Sequence, residues 1–368
     1  MTSLNTFRDV GWARCRSFQF AIAVLAGLCL PTSASALDPS RVLSQYVRDS
    51  WGTEKGFPGG SISAIVQTPD GYLWIGTDKG LIRFDGLNFR KFEQATPNAF
   101  PVGPVANLLP DEQGNLWVLL RSTKLLRYHG GIFELSRGEA ENGITAICRN
   151  TAGGVLVSSL AKGTLIYNGA QFQRVQSGPV YADPVARANG VPPDERSSSL
   201  SWSTGVTSHR LAGPTSAVVS MVATTDSKIW LGTEDRGLFV LSEGKTSELS
   251  KWLPSRKVTS FLPLEGHDLW IGTSQGVLHW NGAKVTRSGV PSALLDVEVF
   301  SMIRDRDSNI WVATSGGLIR VNSQGVSGDP AGPHAEGGVT AVFEDREGNR
   351  WVGGTSGIQR LRDSAFVT

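Results

Sequence analysis

The sequence predicts an all-β protein, a seven-bladed β-propeller of four-stranded antiparallel blades whose ring is closed by a strand from the N-terminus. Three observations support this prediction. The stretch DGYLWIGTDKGLIRFDG at 70–86 returns as DLWIGTSQGVLHWNG at 268–282. Further copies follow at steps of about 40 residues. Between them, short alternating apolar runs are separated by Gly, Asn and Asp turns, and few stretches have helical periodicity.

The copies are aligned on one tryptophan each. Six of the eleven tryptophans occupy this position, and one diverged copy carries a leucine there. Successive positions are 43, 39, 74, 40, 41 and 40 residues apart, which predicts seven units of one repeat. The predicted structural anchors are Trp74, Trp117, Leu156, Trp230, Trp270, Trp311 and Trp351.

Each copy has the pattern of four strands. An alternating strand such as SISAIVQT is followed by a polar turn and by the strand that carries the tryptophan. A glycine turn then leads to a third strand such as GLIRF, and an Asx-Gly turn leads to a short fourth strand such as NFRKF. Asx-Gly turns between alternating runs are hairpin signals. Four antiparallel strands with one tryptophan are typical of a propeller blade.

The tryptophans are predicted to be core residues. A small sheet with two apolar faces can bury them only against other sheets, so one large ring per blade would fill the wedge between neighbours. A row of exposed rings that stacks on a ligand is the alternative. Gly76, Gly232 and Gly272 follow two residues after the tryptophan, which indicates close backbone packing near the axis.

Residues 1–36 are predicted to be a secretory signal peptide. Three arginines precede an apolar run of about thirteen residues, which ends at the sequence ASA at 34–36. This run is too short to span a bilayer, which disfavours a membrane anchor. We therefore expect cleavage after Ala36, one propeller domain over 37–368, a periplasmic or secreted location, and no membrane span after cleavage.

The composition of the mature chain excludes some functions. Three of the 35 Lys and Arg residues and one of the 33 Asp and Glu residues lie in 1–36, which leaves 32 of each. A chain of zero net charge without a basic run has no electrostatic signature for nucleic acid. Cys148 is the only cysteine after residue 36, so no internal disulfide is expected, and its apolar neighbours favour a buried thiol.

The N-terminal segment of the mature chain is predicted to close the ring. Residues 45–51 stand where a fourth strand precedes every other repeat, so we expect them to pair with the blade that contains Trp351. The chain ends at 365–368, where the fourth strand of the seventh copy would be. Those residues would compete for the same edge or lie outside it.

The long step between Leu156 and Trp230 contains about 34 additional residues, roughly 176–213. The segment is rich in Pro, Ser, Gly and Arg, and two prolines stand at 192–193, where an eighth blade would need an inner strand. We therefore expect an excursion over the surface of the ring. Its one tryptophan, Trp202, has two interpretations that remain open: it belongs to a lid that covers a ligand, or it pins the loop to the ring.

One face of the ring is the expected ligand site. The loops from a fourth strand to the next first strand share this face with the turns between second and third strands. They include 93–104, 137–143, 176–214, 287–299 and 326–338. Polar groups that converge around the axis would bind a small molecule there. The candidate ligand-binding residues are Asp235 and Arg236, with Trp202 from the insertion; turn charges that simply face solvent are the alternative.

The sequence contains no motif for a metal site or a catalytic site. The run DRDSN at 305–309 imitates half of a calcium loop, but Ile310 and Gly316 stand where that loop needs glycine and glutamate. The five histidines are scattered over different units, and no GxSxG elbow is present. No cofactor and no metal are therefore expected. Catalysis is not excluded, because a propeller active site can assemble from several blades.

The repeat LWIGT…GLIRFDG at steps of about 40 residues resembles the two-component regulator propeller repeats of bacterial ligand-binding sensor proteins. The segment LSQYVRDSWGTEKGFP before the first copy is also similar to the start of the ring in that family. The resemblance covers about residues 40–368 and implies an exported sensor that acts with a membrane histidine kinase or another signalling protein. It suggests a glycan or a similar extracellular cue as ligand.

Two functions from different classes follow. The first is a non-catalytic exported sensor or binding module for two-component signalling. The second is a propeller-fold periplasmic lyase or hydrolase that acts on a polysaccharide or lactone, which a histidine–carboxylate cluster at the axis would favour. A protein-interaction scaffold is a third possibility. The sequence leaves open whether the chain is free-standing or lacks further repeats, a membrane helix and an output domain.

Overall fold

A computed structural model describes residues 37, 41–92, 103–175, 217–243, 245–329 and 338–363, and the backbone of 201–204 and 207–210. The chain divides into two compact units, Met1–Ser35 and Ala36–Thr368, and all described residues belong to the second. The predicted signal peptide lies outside the described residues. Within them, no helix is both long enough and apolar enough to cross a membrane.

The fold is the predicted seven-bladed β-propeller of four-stranded antiparallel sheets. In chain order the blades are blade 1, β2 (Ile62–Gln67), β3 (Leu73–Thr77), β4 (Gly80–Phe84) and β5 (Phe89–Lys91); blade 2, β6 (Val105–Pro110), β7 (Leu116–Leu120), β8 (Leu125–His129) and β9 (Ile132–Leu135); blade 3, β10 (Ile144–Arg149), β11 (Val155–Ser159), β12 (Gly163–Tyr167) and β13 (Phe172–Arg174).

The remaining strands are blade 4, β16 (Val218–Ala223), β17 (Ile229–Thr233), β18 (Leu238–Ser242) and β19 (Lys245–Glu248); blade 5, β20 (Val258–Pro263), β21 (Asp268–Thr273), β22 (Gly276–Asn281) and β23 (Val285–Thr286); blade 6, β24 (Val299–Arg304), β25 (Ile310–Thr314), β26 (Gly317–Asn322) and β27 (Gly325–Asp329); blade 7, β28 (Val339–Glu344), β29 (Arg350–Gly354), β30 (Ile358–Arg362) and β1 (Val47–Trp51). Short 3-10 helices span Leu43–Gln45, Thr53–Lys55, Gly138–Ala140, Ser250–Trp252 and Ser292–Leu294.

The N-terminal strand closes the ring, as predicted. Strand β1 pairs antiparallel with β30, from Val47 opposite Arg362 to Trp51 opposite Ile358. The ring of Trp51 stacks on the anchor of the same blade, Trp351, with a centroid distance of 5.5 Å. The first and last parts of the chain therefore share one sheet, and the C-terminal residues 364–368 lie outside the described part.

The first strand of each blade lies innermost, because first strands of neighbouring blades contact one another around the ring. The antiparallel order then defines two faces. The upper face carries the loops that lead into each first strand and the turns between second and third strands. The lower face carries the turns between first and second strands and between third and fourth strands. The apolar core lies in the wedges between blades.

All seven anchor positions lie on the second strand of their blades and are buried. Trp74 packs against the inner strand of blade 2, for example, and Trp351 packs against blade 1. The leucine at the diverged position, Leu156, packs in the wedge toward blade 4 with Cys148. Burial raises the pKa of the Cys148 thiol to about 12, so this cysteine is a neutral core residue.

The glycines after the anchors are required by the next blade rather than by the axis. A Cβ atom on Gly76 would lie 2.6 Å from Val105, the first residue of the neighbouring inner strand. Gly272 faces Val299 in the same way, at 2.8 Å. A hydroxyl group connects the inner strands of the same two blades: Ser63 Oγ donates to the carbonyl of Val105 at 2.8 Å. In these blades the second strand therefore lies too close to the next inner strand for a side chain at this position.

The polar turns of the lower face cap the tryptophans. Asp111 accepts hydrogen bonds from the amides of Gln113 and Asn115 and from the indole N–H of Trp117, at 2.8 to 3.0 Å. Asp305, the first residue of the calcium-like run, has the same role for Asn309 and Trp311. The aspartate of this turn therefore accepts hydrogen bonds from its own turn and from the tryptophan of its own blade.

The described part of the insertion is a two-stranded antiparallel hairpin of β14 (Ser201–Thr204) and β15 (Thr207–Arg210). It is not a four-stranded blade, and the ring passes directly from blade 3 to blade 4. Trp202 pairs with His209 in the backbone register of this hairpin. The rest of the insertion, on which the lid hypothesis depends, lies outside the described residues.

Candidate ligand site on the upper face

The rim of the upper face is built by the same backbone contact in blades 1 to 6. The residue after each second strand meets the residue before the first strand. In blade 4 the amide of Glu234 donates to the carbonyl of Ala217 at 3.3 Å. In blade 5 the amide of Ser274 donates to the backbone carbonyl of Lys257 at 3.2 Å. Ser315 and Glu298 make the same contact in blade 6 at 2.9 Å. These positions therefore recur in a ring around the axis.

Three of these rim residues form an ionic network across three blades. Lys257 Nζ lies 3.2 Å from Glu298 Oε1 of blade 6 and 3.6 Å from Glu234 Oε1 of blade 4. Partial burial opposes the charge of this ammonium, but the bonds to Glu298 and Glu234 raise the pKa of Lys257 above its ordinary value. The cation is therefore held between two carboxylates, one of which is more than half exposed.

Asp235 and Arg236, the two candidates from the sequence, lie beside this network. Both belong to the turn between the second and third strands of blade 4, and Asp235 is exposed. The backbone of Arg236 is fixed, because its amide donates to Thr233 Oγ1 at 3.0 Å and its carbonyl accepts from Ser250 Oγ at 2.9 Å. Glu234, the residue before them, makes the contact with Lys257.

Trp252 is an exposed indole on the same face. Its side chain sits on a 3-10 helix in the loop from blade 4 to blade 5 and is 70% exposed. Ser250 fixes that helix to the turn of Arg236, because its hydroxyl also accepts from the amide of Leu238 at 3.1 Å. Large exposed aromatic side chains are common contact residues in binding sites. An exposed indole therefore lies on the same face as the charged rim, on a loop that Ser250 fixes to blade 4.

Blade 2 has a strained turn on this face. Thr123 has a φ of +63°, a conformation that β-branched residues rarely adopt. The other six blades carry a glycine of positive φ in this turn. Thr123 accepts a hydrogen bond from the amide of Ile144 at 3.0 Å through its carbonyl. This hydrogen bond connects the strained turn of blade 2 to the first residue of strand β10 in blade 3.

Several parts of the predicted site lie outside the described residues. These are the ranges 93–102, 176–200, 205–206, 211–216 and 330–337. For Trp202 only the backbone is described, so the structure does not place its ring against any blade. Of the three candidate residues, Asp235 and Arg236 are therefore brought together at the rim, and Trp202 is not placed there.

Two histidine–carboxylate pairs occur in the described residues, and both lie toward the lower face. His279 Nε2 is 2.9 Å from Asp268 Oδ2, and His267 Nδ1 is 3.6 Å from Asp226 Oδ2. Neither pair belongs to the upper rim, where the loops of the blades converge. No group of three or more His, Cys, Asp or Glu side chains in the described ranges could hold a metal ion.

Sequence reasoning placed Glu234 and Glu298 on this face without naming them as binding residues, and it missed Lys257 and Trp252. The signal for the first three was present, because each stands directly after a second strand or directly before a first strand. Comparing those two positions across the seven copies would have identified the rim. Trp252 could have been found as a tryptophan outside the repeat position, which is how Trp202 was found.

Comparisons with known proteins agree with the repeat and the fold. The two-component regulator propeller repeat matches residues 56–79 and 293–316. No curated protein matches the chain. Among solved structures, the extracellular domain of a hybrid two-component system from B. thetaiotaomicron superposes with a TM-score of 0.66 at 19% identity. That alignment covers 87% of this chain and 42% of the other, so the chain spans less than half of that protein.

Other propellers are also similar in structure. The extracellular domain of a one-component system from B. thetaiotaomicron has a TM-score of 0.60 at 16% identity, over 88% of this chain and 42% of its own. Virginiamycin B lyase from Staphylococcus aureus has a TM-score of 0.59 at 11% identity, over 86% of this chain and 99% of its own. Likeness at these identities shows the fold. The chain is therefore a seven-bladed propeller in which two segments match the two-component regulator propeller repeat.

Proposed function

We propose that this protein is an exported, non-catalytic sensor module that binds a small extracellular ligand on its upper face and passes this state to a two-component-type signalling partner. The observation that carries the proposal is the two-component regulator repeat on a ring that resembles extracellular domains of such systems. Its periplasmic or secreted location and a membrane histidine kinase as partner are parts of the same proposal.

The geometry of the upper face supports a binding role. The network of Glu234, Lys257 and Glu298 connects three blades at their inner ends, where a bound molecule would contact all three. The loop with Trp252 adds an apolar contact surface on a rigid support. Concave sites that combine a few convergent polar groups with aromatic surface are typical of small-molecule binding. A glycan or a similar polar cue is compatible with both groups of contacts.

A ligand screen tests this function. The mature chain, residues 37–368, is examined by thermal denaturation with a panel of oligosaccharides, amino acids, organic acids and short peptides. A ligand at a hundred times its dissociation constant adds about 2.7 kcal/mol to the free energy of unfolding, which raises the melting temperature by several degrees. We expect at least one such compound, recovered unchanged after incubation. Conversion of that compound into a product would instead establish a lyase or hydrolase.

Two variants test whether the ligand binds on the upper face. Lys257→Ala removes the central cation of the rim, and Trp252→Ala removes the exposed indole, so either should weaken binding at least tenfold. Glu347→Gln is the matched control, because Glu347 is an exposed charge in a lower-face turn of blade 7. Equal affinity in all three variants would reject the upper-face site while leaving the binding function intact.

A further inference from the structure

At four junctions of the ring, a hydroxyl group and a glycine bring the inner ends of neighbouring blades together. A hydroxyl of one inner strand donates to the first carbonyl of the next at 2.5 to 2.8 Å, as Ser63 does to Val105. The second strands of the same four blades, 1, 4, 5 and 7, carry glycine at the facing position.

The junction of blades 2 and 3 is built differently. Blade 2 carries Ala106 at the position of Ser63 and Leu119 at the position of the glycine. Leu119 is buried against Ile144, the first residue of strand β10. The bulk of this leucine explains why β6 and β10 are in less contact than any other neighbouring pair of inner strands. The ring is therefore more open toward the axis at this junction.

Asn107 lies at this opening. It belongs to the innermost strand of blade 2, opposite Leu119, and its side chain is exposed. Its Oδ1 accepts the amide of Leu108 at 2.8 Å, and its Nδ2 group has no partner among the described residues. The other six blades carry alanine or serine at this position, namely Ala64, Ala146, Ser220, Ser260, Ser301 and Ala341.

Arg121 lies on the rim at the same junction. Its amide donates to the carbonyl of Pro104 at 2.8 Å, the contact that Glu234 makes in blade 4. The side chain of Glu234 meets Lys257, the residue before the first strand of the next blade. At the junction of blades 2 and 3 that residue is Gly143, which offers no side chain. The exposed guanidinium of Arg121 accordingly makes no ion pair or hydrogen bond with the described part of the chain.

The turn that carries Arg121 is fixed in a strained conformation. Thr123, whose φ is +63°, accepts the amide of Gly143 at 3.3 Å through Oγ1 and the amide of Ile144 at 3.0 Å through its carbonyl. Strained residues of this kind persist where the surroundings hold them, and they cluster at ligand sites. The backbone from which the guanidinium projects is therefore held against blade 3.

We propose that the junction of blades 2 and 3 is the anion-binding part of the upper-face site, and that the ligand carries a carboxylate. This inference rests on the proposed sensor function and narrows its ligand. The guanidinium of Arg121 presents a planar fork that matches the two oxygens of a carboxylate. Asn107 is opposite Leu119, two residues before Arg121, which corresponds to about 7 Å along the strand. One small molecule can therefore contact both donors, and the single cation balances a single negative charge.

The experiment uses the mature chain and two matched pairs of probes. Glycylglycine and glycylglycinamide represent a peptide with and without its carboxylate, and lactate and lactamide represent an organic acid in the same way. The reporter is the side-chain amide resonance of Asn107 in ¹⁵N–¹H spectra, assigned with Asn107→Ala. We expect at least one carboxylate to shift this resonance in a saturable way and to bind at least tenfold more tightly than its amide. The pair that responds distinguishes a peptide from an organic acid.

Three variants test the two donors. Arg121→Gln should weaken binding of the carboxylate at least tenfold and leave the melting temperature of the free protein unchanged, because the guanidinium has no partner in the described chain. Asn107→Ala introduces the residue of blades 1, 3 and 7 and should weaken binding severalfold. Arg90→Gln is the matched control, because Arg90 is an exposed arginine on the outermost strand of blade 1.

Unchanged affinity in Arg121→Gln, or equal binding of a carboxylate and its amide, would overturn the proposal. Sulfate that binds as tightly as the carboxylates would replace the carboxylate site by a general anion site. The sensor function fails separately. A neutral compound of the ligand screen that loses affinity in Lys257→Ala but not in Arg121→Gln would reject the carboxylate and retain the sensor. Absence of binding by every compound would reject both.

Discussion

Arg350 of blade 7 and Asp305 of blade 6 form an ion pair in which both side chains are fully buried, with 2.6 Å between Nη2 and Oδ2. The same carboxylate oxygen accepts the indole N–H of Trp311 at 2.7 Å. One aspartate therefore caps the tryptophan of its own blade and binds the neighbouring blade. The arginine stands directly before the anchor Trp351. The other six blades carry leucine, isoleucine or valine at this position.

Removal of one partner of this pair should destabilise the protein strongly. Asp305→Ala leaves the Arg350 guanidinium buried near Glu344 alone, and loss of one partner of a buried pair typically costs about 3–5 kcal/mol. Urea denaturation followed by tryptophan fluorescence measures this change. Asp307→Ala, in the same turn but exposed, is the control. A loss below about 1 kcal/mol for Asp305→Ala would show that the pair does not hold blades 6 and 7 together.

The same carboxylate makes the stability dependent on acid. Burial opposes ionisation, but hydrogen bonds from Arg350, Trp311 and Asn309 hold the pKa of Asp305 below its ordinary value of 3.8. Its contribution is thus fully present above about pH 4 and is lost as the pH falls further, since the unfolded chain then binds a proton that the folded chain does not. Unfolding free energies of the wild type and Asp305→Asn should converge in this range. A constant difference down to pH 2 would contradict the assignment.

Deletion of residues 41–51 should sharply lower the melting temperature. The deletion removes strand β1, the stack of Trp51 on Trp351, and Asp49, whose carboxylate accepts from Arg360 at 2.7 Å and Arg362 at 2.9 Å. Trp51→Ala tests the closure between β1 and blade 7 with less disturbance. It should lower the free energy of unfolding by about 3–5 kcal/mol. Trp252→Ala also removes an indole, but an exposed one, and should leave the melt unchanged. An unaltered melt for the deletion would show that the ring is sealed elsewhere.

Truncation of an indole N–H should have different effects in blades 4 and 6. Trp311→Phe deprives Asp305 of a donor and should cost about 1–3 kcal/mol more than the loss of ring area. Trp230→Phe removes an N–H without a protein partner, so its cost should come from the smaller ring alone. Chemical denaturation of the two variants gives the comparison. Equal costs would mean that the indole bonds of the lower face add nothing to stability.

Gly272→Ala should destabilise the contact between blades 5 and 6. Its Cβ would lie 2.3 Å from Ser260 Oγ and 2.8 Å from Val299 Cγ1, and overpacking of this kind typically costs about 1–3 kcal/mol. Val299→Ala should recover part of the loss in the double variant. Blade 6 carries Ala313 in the equivalent position, so Ala313→Gly is the reciprocal control. Additive effects of the two substitutions at 272 and 299 would show that these residues do not clash.

The ring was predictable from the sequence because every blade repeats one local pattern. The spacing of the anchors predicted seven blades, and the position of residues 45–51 before the first copy predicted the closing strand. Contacts between blades were not predictable in this way. The pairs Arg350–Asp305 and Lys257–Glu298 join residues 45 and 41 positions apart, and they depend on the angle between sheets rather than on any pattern within one copy. The hydroxyl of Thr224 likewise bonds to Asp226 rather than to the indole of Trp230, which the repeat pattern did not indicate.

The most direct test of ligand binding at the upper rim is hydrogen exchange of the mature chain. It is measured with and without the compound selected by the thermal screen. Binding at the upper rim should slow exchange in the segments that contain 234–237, 250–257 and 298, because bound ligand suppresses local opening there. The lower-face turns at 224–228 and 305–309 should exchange at the same rate in both states, and the compound should remain chemically unchanged. Protection confined to the lower face, or conversion of the compound into a product, would contradict a sensor that binds its ligand at the rim of Glu234, Lys257 and Glu298.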